Sequence, residues 1–221
     1  MKRIVFCLSL MLFSSVTAHA GVIIGGTRVI FEGGKKETSI SVNNPDSSPY
    51  LIQSWVESVG GKAAPFVITP PLFRLDGQQQ NILRILNNGS GMTEDRESLY
   101  WVNIKSIPSQ AEGKDNVLQV AIKTRIKLIY RPQSLKEKSP EDVVEQLRWT
   151  RNGNRLQVNN PTPYYMNFYE IKVGGKKLQD PQWVAPFSTK EYSVNSADSG
   201  NITWKLISDF GASGKEHHAI L

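Results

Sequence analysis

The chain has 221 residues, a formal net charge of +6 and one cysteine, Cys7. Its basic residues are dispersed and no nucleic-acid-binding motif accompanies them, so we expect no nucleic-acid partner. A single cysteine excludes an internal disulfide and a thiolate metal cluster, so the fold must depend on the packed core that a chain of this length can bury.

The first twenty residues predict a cleaved secretory signal. Two basic residues precede an apolar run over residues 4–16, and Ala18–Ala20 has the small-x-small form of a cleavage site. The alternative is a membrane anchor, but the run is shorter than the roughly 20 apolar residues that span a bilayer. We therefore expect a signal at residues 1–20, followed by an exported, cysteine-free chain without membrane insertion.

The first half of the exported chain reads as a series of short strands. Runs rich in β-branched and aromatic residues recur between clusters of Gly, Pro, Asn and Asp. One run contains Pro70-Pro71, which predicts an edge or irregular strand because proline has no N–H for an interior ladder. This number and spacing favour an immunoglobulin-like sandwich. The predicted strands cover residues 22–31, 38–42, 50–56, 66–75, 82–86, 99–107 and 117–130.

A polar segment over residues 131–140 has proline near both ends and predicts a linker. Residues 142–147 show weak helical periodicity but are equally compatible with the start of a strand. We therefore predict an all-β chain with two β-sandwich domains in tandem, over residues 21–134 and 135–221. Strands of the second domain are predicted at residues 143–150, 156–158, 164–173, 183–186, 191–194 and 202–207.

The sequence offers no catalytic or metal-binding constellation. Beyond residue 20 the histidines are His217 and His218, which are adjacent and would point to opposite faces of a strand. Neither a Ser-His-Asp set nor a glycine-rich phosphate loop can be proposed. We therefore expect no enzyme activity, no catalytic residue, no metal and no cofactor.

The most informative strand covers residues 117–131. Its apolar residues fall at even positions, which predicts one apolar face. This pattern is compatible with two arrangements, a face buried in the core or a face kept exposed for another chain. An exposed apolar edge strand is normally an aggregation hazard, so it would be retained only if pairing with another chain is the protein's task.

Three stretches of the chain resemble the PapD-like periplasmic chaperones of the chaperone–usher pathway. They are Thr-Arg-Val-Ile-Phe at 27–31, the stretch at 95–108, and Thr-Arg-Ile-Lys-Leu-Ile-Tyr-Arg-Pro at 124–132. Their order and spacing agree along nearly the whole exported chain. The resemblance implies two immunoglobulin-like domains set at an angle around a cleft. It also implies a periplasmic chaperone that binds, folds and caps pilus subunits by donating a β-strand and delivers them to an outer-membrane usher.

The resemblance also implies roles for particular residues. Arg28 and Lys127 correspond to the pair that anchors the C-terminal carboxylate of the client subunit, while Leu118, Val120 and Ile122 correspond to side chains inserted into the client. Simple alternation places Lys127 on the opposite face from those three. Either the two contacts are separated along the strand or a bulge intervenes.

A further set, Glu97, Arg131 and Asp209, corresponds to a structural ion network between the domains. The short connection at residues 108–116 resembles the short-loop subgroup, which serves rod-like pili with adhesive tips. Self-association through the donor strand is left open. The rival function is a structural pilus subunit or adhesin, but such a subunit should show an N-terminal donor segment and usually a cysteine pair.

Overall fold

The computed structural model of the protein describes residues 21–60, 64–89, 91–109, 118–195 and 200–220. The predicted signal, Val117 and most of the predicted short loop lie outside these residues. The described chain is nearly all β, with short 3₁₀ helices at Gln133–Leu135 and Pro140–Gln146. It forms two immunoglobulin-like β-sandwich domains. No helix in the described ranges has the length and hydropathy needed to cross a membrane.

The first domain contains two sheets that face each other across one core. One sheet has the strand order β1-β3-β7-β5 and the other the order β2-β9-β8-β4-β6. The strands are β1 Ile23–Ile24, β2 Arg28–Glu32, β3 Glu37–Asn43, β4 Tyr50–Ser58, β5 Phe66–Thr69, β6 Leu72–Leu75, β7 Gln80–Asn87, β8 Ser98–Pro108 and β9 Ile122–Arg131.

Two predicted strands of this domain are each divided between the sheets. The run at 22–31 becomes β1, which pairs with β3, and β2, which pairs in parallel with β9. The chain crosses at Gly25, where an added Cβ would lie 2.0 Å from Oγ of Ser41. The run at 66–75 is likewise split at Pro70-Pro71 into β5 and β6, and both are edge strands as predicted.

Alternation in β2 and β9 decides which side chains enter the first core. Val29 and Phe31 pair in register with Leu128 and Tyr130, and all four are buried between the sheets. The intervening residues, among them Lys127, therefore point away from this core. Three of them, Arg28, Lys127 and Arg131, make hydrogen bonds to residues of the second domain.

The second domain has a three-stranded sheet in the order β10-β11-β15 and a larger sheet in the order β13-β12-β16-β17, with β14 also paired to β12. Trp149 packs in its core at 5.1 Å from the ring of Trp204. The strands are β10 Arg148–Asn152, β11 Arg155–Asn160, β12 Met166–Val173, β13 Lys176–Lys177, β14 Trp183–Val184, β15 Ser188–Ser193, β16 Ile202–Ile207 and β17 Ser213–Ala219.

The strand predicted at 143–150 is wrong in its first half, because residues 140–146 form a 3₁₀ helix. Pro140 suits a first helical position, and Asp142 Oδ2 accepts hydrogen bonds from the backbone N–H and the Oγ of Ser139, at 2.8 and 2.7 Å. Val143 and Val144 reach the second core from this helix. A local capping motif therefore overrides the β propensity of the valines.

The edge strand β17 ties the end of the chain to this 3₁₀ helix through His217. The imidazole Nδ1 lies 2.6 Å from Glu145 Oε1 and Nε2 lies 3.0 Å from Glu141 Oε1, while the ring stacks on Trp204. Burial lowers the pKa of His217, but hydrogen bonds and the charges of both glutamates outweigh it and raise the pKa above its ordinary value. The cationic form is therefore favoured by folding.

We expect this contact to make stability depend on pH. Because the folded pKa of His217 is raised, its stabilisation should be complete below the unfolded value of about 6.5 and lost as pH rises through the folded value. Urea unfolding across this range should show the loss for the wild type and for the exposed-neighbour control His218→Gln. The variant His217→Gln should not show it, and an unchanged pH profile in that variant would contradict the assignment.

Candidate functional site

One edge of β9 is only partly covered. On one side β8 pairs with residues 122–130, with Ser106 opposite Ile122. On the other side β2 covers only residues 127–131, starting where Arg28 lies opposite Lys127. Within the described part of the chain, residues 122–126 thus have no strand on their second side, and their backbone groups on that side are available for pairing.

The predicted strand 117–130 is too long at its beginning. Strand β9 begins at Ile122, which lies opposite Ser106 of β8, and the described residues before it pair with no strand. Leu118 and Val120 lie in the described segment that leads into β9 and belong to no strand. The segment and the open edge of β9 therefore form one continuous stretch from residue 118 to residue 126 that has at least one side without a partner strand among the described residues.

The apolar series in this stretch is divided between two environments. Leu118, Val120 and Ile122 are 87%, 62% and 52% exposed, whereas Ile126 and Leu128 are buried in the first core. The two arrangements left open by periodicity both occur, at opposite ends of the same series. Three exposed apolar side chains beside an open strand edge are a surface suited to another chain.

Arg28 and Lys127 are brought together at the end of the open edge. They are direct partners in the parallel β2–β9 ladder, and both side chains reach the second domain. Lys127 Nζ donates to Asn167 Oδ1 at 2.5 Å and lies 4.4 Å from the ring centre of Trp183. Arg28 Nη1 donates to the carbonyl of Ile207 at 3.3 Å.

Arg28 and Lys127 are two partly buried cations whose charges are incompletely compensated by their surroundings. Burial, together with the positive charges of Arg28 and Lys190, lowers the pKa of Lys127 to about 8 against the opposing charge of Asp180. Burial also lowers the pKa of Arg28 against the opposing charge of Asp209. The Nε of Arg28 is buried and makes no hydrogen bond within the described residues. An anion placed between the two cations would relieve these costs.

The register of β9 settles how Lys127 relates to the exposed apolar residues. Pairing with β8 and β2 continues without a shift from residue 122 to residue 131, so no bulge occurs. Lys127 points to the second domain, and the three exposed apolar residues lie at or before the start of the strand. The two surfaces are therefore separated along the strand.

Glu97, Arg131 and Asp209 are in direct contact at the domain junction. Arg131 Nε donates to Glu97 Oε1 at 2.7 Å, and its two Nη atoms donate to the Asp209 carboxylate at 2.7 and 2.9 Å. Glu97 Oε2 accepts from the backbone N–H of Tyr165 at 2.7 Å. These contacts connect the start of β8 and the end of β9 with two segments of the second domain.

Burial dominates the electrostatics of this network. The Glu97 side chain is 0% exposed, Arg131 7% and Asp209 24%. Burial raises the pKa of Glu97 to about 7, although the Arg131 charge and the Tyr165 N–H lower it. Burial lowers the pKa of Arg131, but its two carboxylate partners outweigh this and raise it above its ordinary value.

Sequence reasoning did not find the second-domain side of the cleft. Asn167 is buried and accepts from Lys127, and Trp183 packs edge-to-face on Trp101 at 5.9 Å. Arg125 lies 4.3 Å from the Trp101 ring centre, and its guanidinium also pairs with Glu57 at 3.1 Å. The available signal was Asn167 itself, a polar residue at the start of an otherwise largely apolar strand.

An open strand edge next to two partly desolvated cations in an interdomain cleft has the geometry that strand addition of an extended peptide requires. Comparison with known families identifies the class further. Residues 21–136 match the N-terminal domain of PapD, described as a pili and flagellar-assembly chaperone, and residues 142–218 match the C-terminal domain of the pili assembly chaperone PapD. The chain belongs to the PapD family of pilus-assembly chaperones.

Curated relatives carry the same description over nearly the full chain. The probable fimbrial chaperone LpfB of Escherichia coli O157:H7 is 43% identical over 217 residues, which cover 96% of this chain and 93% of LpfB. The chaperone protein FimC of Escherichia coli K12 is 42% identical over 222 residues, with coverage of 96% and 91%. These similarities favour a chaperone over the rival structural subunit.

Solved structures agree with this assignment. A chain of the Salmonella enterica SafA pilin complex with the SafB chaperone is 41% identical, with a TM-score of 0.86 and coverage of 93% of this chain and 99% of that chain. The Escherichia coli chaperone DraB is 40% identical, with a TM-score of 0.82 and coverage of 91% and 97%.

Proposed function

We propose that the protein is a periplasmic chaperone that binds unassembled pilus subunits through the open edge of β9, caps them, and delivers them to an outer-membrane usher. It acts by binding, without catalysis or a cofactor. The observation that carries the proposal is the unpaired edge at residues 122–126, which lies between exposed apolar side chains and a cation pair. Membership of the pilus-chaperone family supports it.

The cleft suggests how the client strand runs. If the client's C-terminal carboxylate lies at Arg28 and Lys127, the last strand of the client pairs with the open edge at residues 122–126. It ends at residue 127, where β2 begins to pair with the same edge of β9. The client strand is then parallel to β9 and in line with β2. Five residues of extended edge provide about 16 Å of pairing, which the unpaired segment before Ile122 can extend.

The cation pair has two functions in this proposal. A terminal carboxylate between Lys127 and Arg28 receives charge-assisted hydrogen bonds from groups that are already partly desolvated. The anchor also fixes the register, because a slip of one residue would turn every client side chain to the other face. Leu118, Val120 and Ile122 then fill the client's own apolar groove.

We also propose that the network of Glu97, Arg131 and Asp209 holds the two domains at their relative angle and does not touch the client. We place the domain boundary after Ser134, dividing residues 21–134 from 135–221. Leu135 packs against the second core, and its carbonyl accepts a hydrogen bond from Tyr164 Oη at 2.9 Å.

The variant Ile122→Asp tests the donor edge. We expect it to abolish co-purification of subunits from periplasmic extracts, because a carboxylate would enter the client's apolar groove unpaired. The free energy of unfolding should change by no more than about 0.5 kcal/mol, since Ile122 is 52% exposed.

A matched control is Ile82→Asp, because Ile82 is 53% exposed on β7 of the opposite sheet. It should leave both stability and subunit binding unchanged. If Ile122→Asp unfolds the free protein, that side chain belongs to the core and the donor-edge proposal fails. The rival structural subunit would appear in mass spectra as polymer ladders instead of soluble one-to-one complexes.

A further inference from the structure

The wall of the cleft opposite β9 contains a cavity of about 760 Å³ that neither the donor edge nor the ion network uses. Lys127 forms one side, and the loop between β13 and β14 forms the other. Its apolar and aromatic lining includes Tyr169, Leu178, Pro181 and Trp183. Arg28 lines a separate hollow of about 330 Å³ on the other side of the cation pair.

The loop that forms this wall is held in a strained shape. Asp180 and Gln182 have positive φ angles of 43° and 55°, a region that non-glycine residues occupy at a cost of about 1–3 kcal/mol each. The loop is fixed by the backbone N–H of Phe168, which donates to Gln182 O at 2.9 Å, and by Tyr192 Oη, which donates to Pro181 O at 2.8 Å. The cavity is therefore formed before any ligand arrives.

Lysine ammonium groups lie around the cavity, and its lining combines aromatic and aliphatic side chains with the amides of Gln179 and Gln182. The Nζ atoms of Lys127 and Lys190 lie 4.4 and 5.7 Å from the Trp183 ring centre. Lys177 Nζ lies 5.8 Å from the ring centre of Tyr169, but it is paired with Glu170 Oε2 at 3.1 Å, so the cationic character of the rim comes mainly from Lys127 and Lys190. Asp180 is the carboxylate among the described lining residues, and it already accepts from Gln182 Nε2 at 3.0 Å. Such a rim attracts a carboxylate and disfavours a basic side chain.

We propose that this cavity, the terminal-residue pocket, takes the side chain of the client's C-terminal residue and prefers aromatic and aliphatic over basic side chains. The inference rests on the proposed function, which places the terminal carboxylate at Lys127. Lys127 belongs to both sites, so a residue whose carboxylate lies at Nζ has its side chain at the mouth of the cavity. An apolar pocket discriminates by the apolar surface that it removes from water.

The test uses synthetic peptides of about twelve residues with one alternating apolar sequence, ending in Tyr, Gly or Lys. Each is made as the free acid and as the amide, and binding to the full exported chain is measured by calorimetry. Among the free acids, the Tyr peptide should bind about tenfold more tightly than the Gly peptide, and the Lys peptide more weakly than the Gly peptide. Amidation should weaken all three.

The variant Tyr169→Ala should lose the preference for Tyr while still binding the Gly peptide, because Tyr169 is 52% exposed and contributes only to the pocket. The matched control is Phe187→Ala, which removes a 50% exposed aromatic side chain of the same domain outside the cavity. Equal affinities of the three free acids would overturn the pocket but leave the donor edge and the anchor in place. Failure of every peptide to bind would overturn the proposed function together with the pocket.

Discussion

Lys127→Met and Arg28→Met are each expected to leave the protein folded and exported but unable to protect pilus subunits. A hydrogen bond to a charged group contributes about 1.5–3 kcal/mol, which corresponds to an affinity loss of about tenfold to more than a hundredfold. Methionine is unbranched and close to lysine in length, so it removes mainly the charged end of Lys127, whose Nζ lies 4.4 Å from the Trp183 ring centre. Stability should be unchanged or slightly increased, because the lowered pKa of Lys127 shows that folding disfavours its charge.

The proposed anchor should give client binding a pH dependence. Lys127 holds a carboxylate only while it is protonated, and its pKa in the free protein is about 8. Affinity should therefore fall as pH rises through this value, and the fall should be absent in Lys127→Met. Arg28 stays charged throughout this range, so the remaining affinity should level off instead of vanishing.

Titration of a purified subunit or of its C-terminal peptide measures both effects. Lys36→Met is the matched control, since it removes an exposed lysine of the first domain that lies outside the proposed donor edge. Normal accumulation and assembly of subunits in both anchor variants would show that the carboxylate is held elsewhere.

The sequence predicted most strands because alternation and turn residues are local signals. It failed where a neighbour in space decides the structure. The run at 22–31 looks continuous, yet its two halves pair with strands far along the chain, Ile24 with Val42 and Val29 with Leu128. The polar edge strand β17 was missed because its residues show no apolar alternation and are ordered by pairing with β16.

The site divides in the same way. Alternation in the sequence located the apolar residues of β9. It could not show that Ile122 is exposed and Leu128 buried, because this difference depends on where β2 begins to pair with β9. Family motifs suggested that Arg28 and Lys127 act together, and the structure makes them neighbours in one ladder. No local pattern could indicate that Asn167 would meet Lys127, because that contact joins residues forty positions apart in different domains.

Arg131→Met is expected to have the largest effect on stability. It leaves Glu97 fully buried without its charge partner, and breaking such a pair costs about 3–5 kcal/mol. The cost should depend on pH. The pKa of Glu97 is already raised to about 7 by burial and should rise further without Arg131. A carboxyl with a raised folded pKa contributes stability that is complete below its unfolded value of about 4.5 and lost as pH rises through the folded value.

Urea unfolding should therefore find Arg131→Met most destabilised at about pH 8 and partly recovered at about pH 5.5. Arg125→Met is the matched control, because it removes an arginine from the same strand whose pair with Glu57 is much less buried, with the two side chains 44% and 21% exposed. Pairs that water reaches contribute at most about 1 kcal/mol. The double variant Glu97→Leu/Arg131→Met should regain a large part of the loss, because no unpaired charge remains buried at Glu97. If the double variant is no more stable than Arg131→Met at high pH, the loss comes from the missing hydrogen bonds and packing of Arg131. The network would then connect the domains by geometry and not by compensating a buried charge.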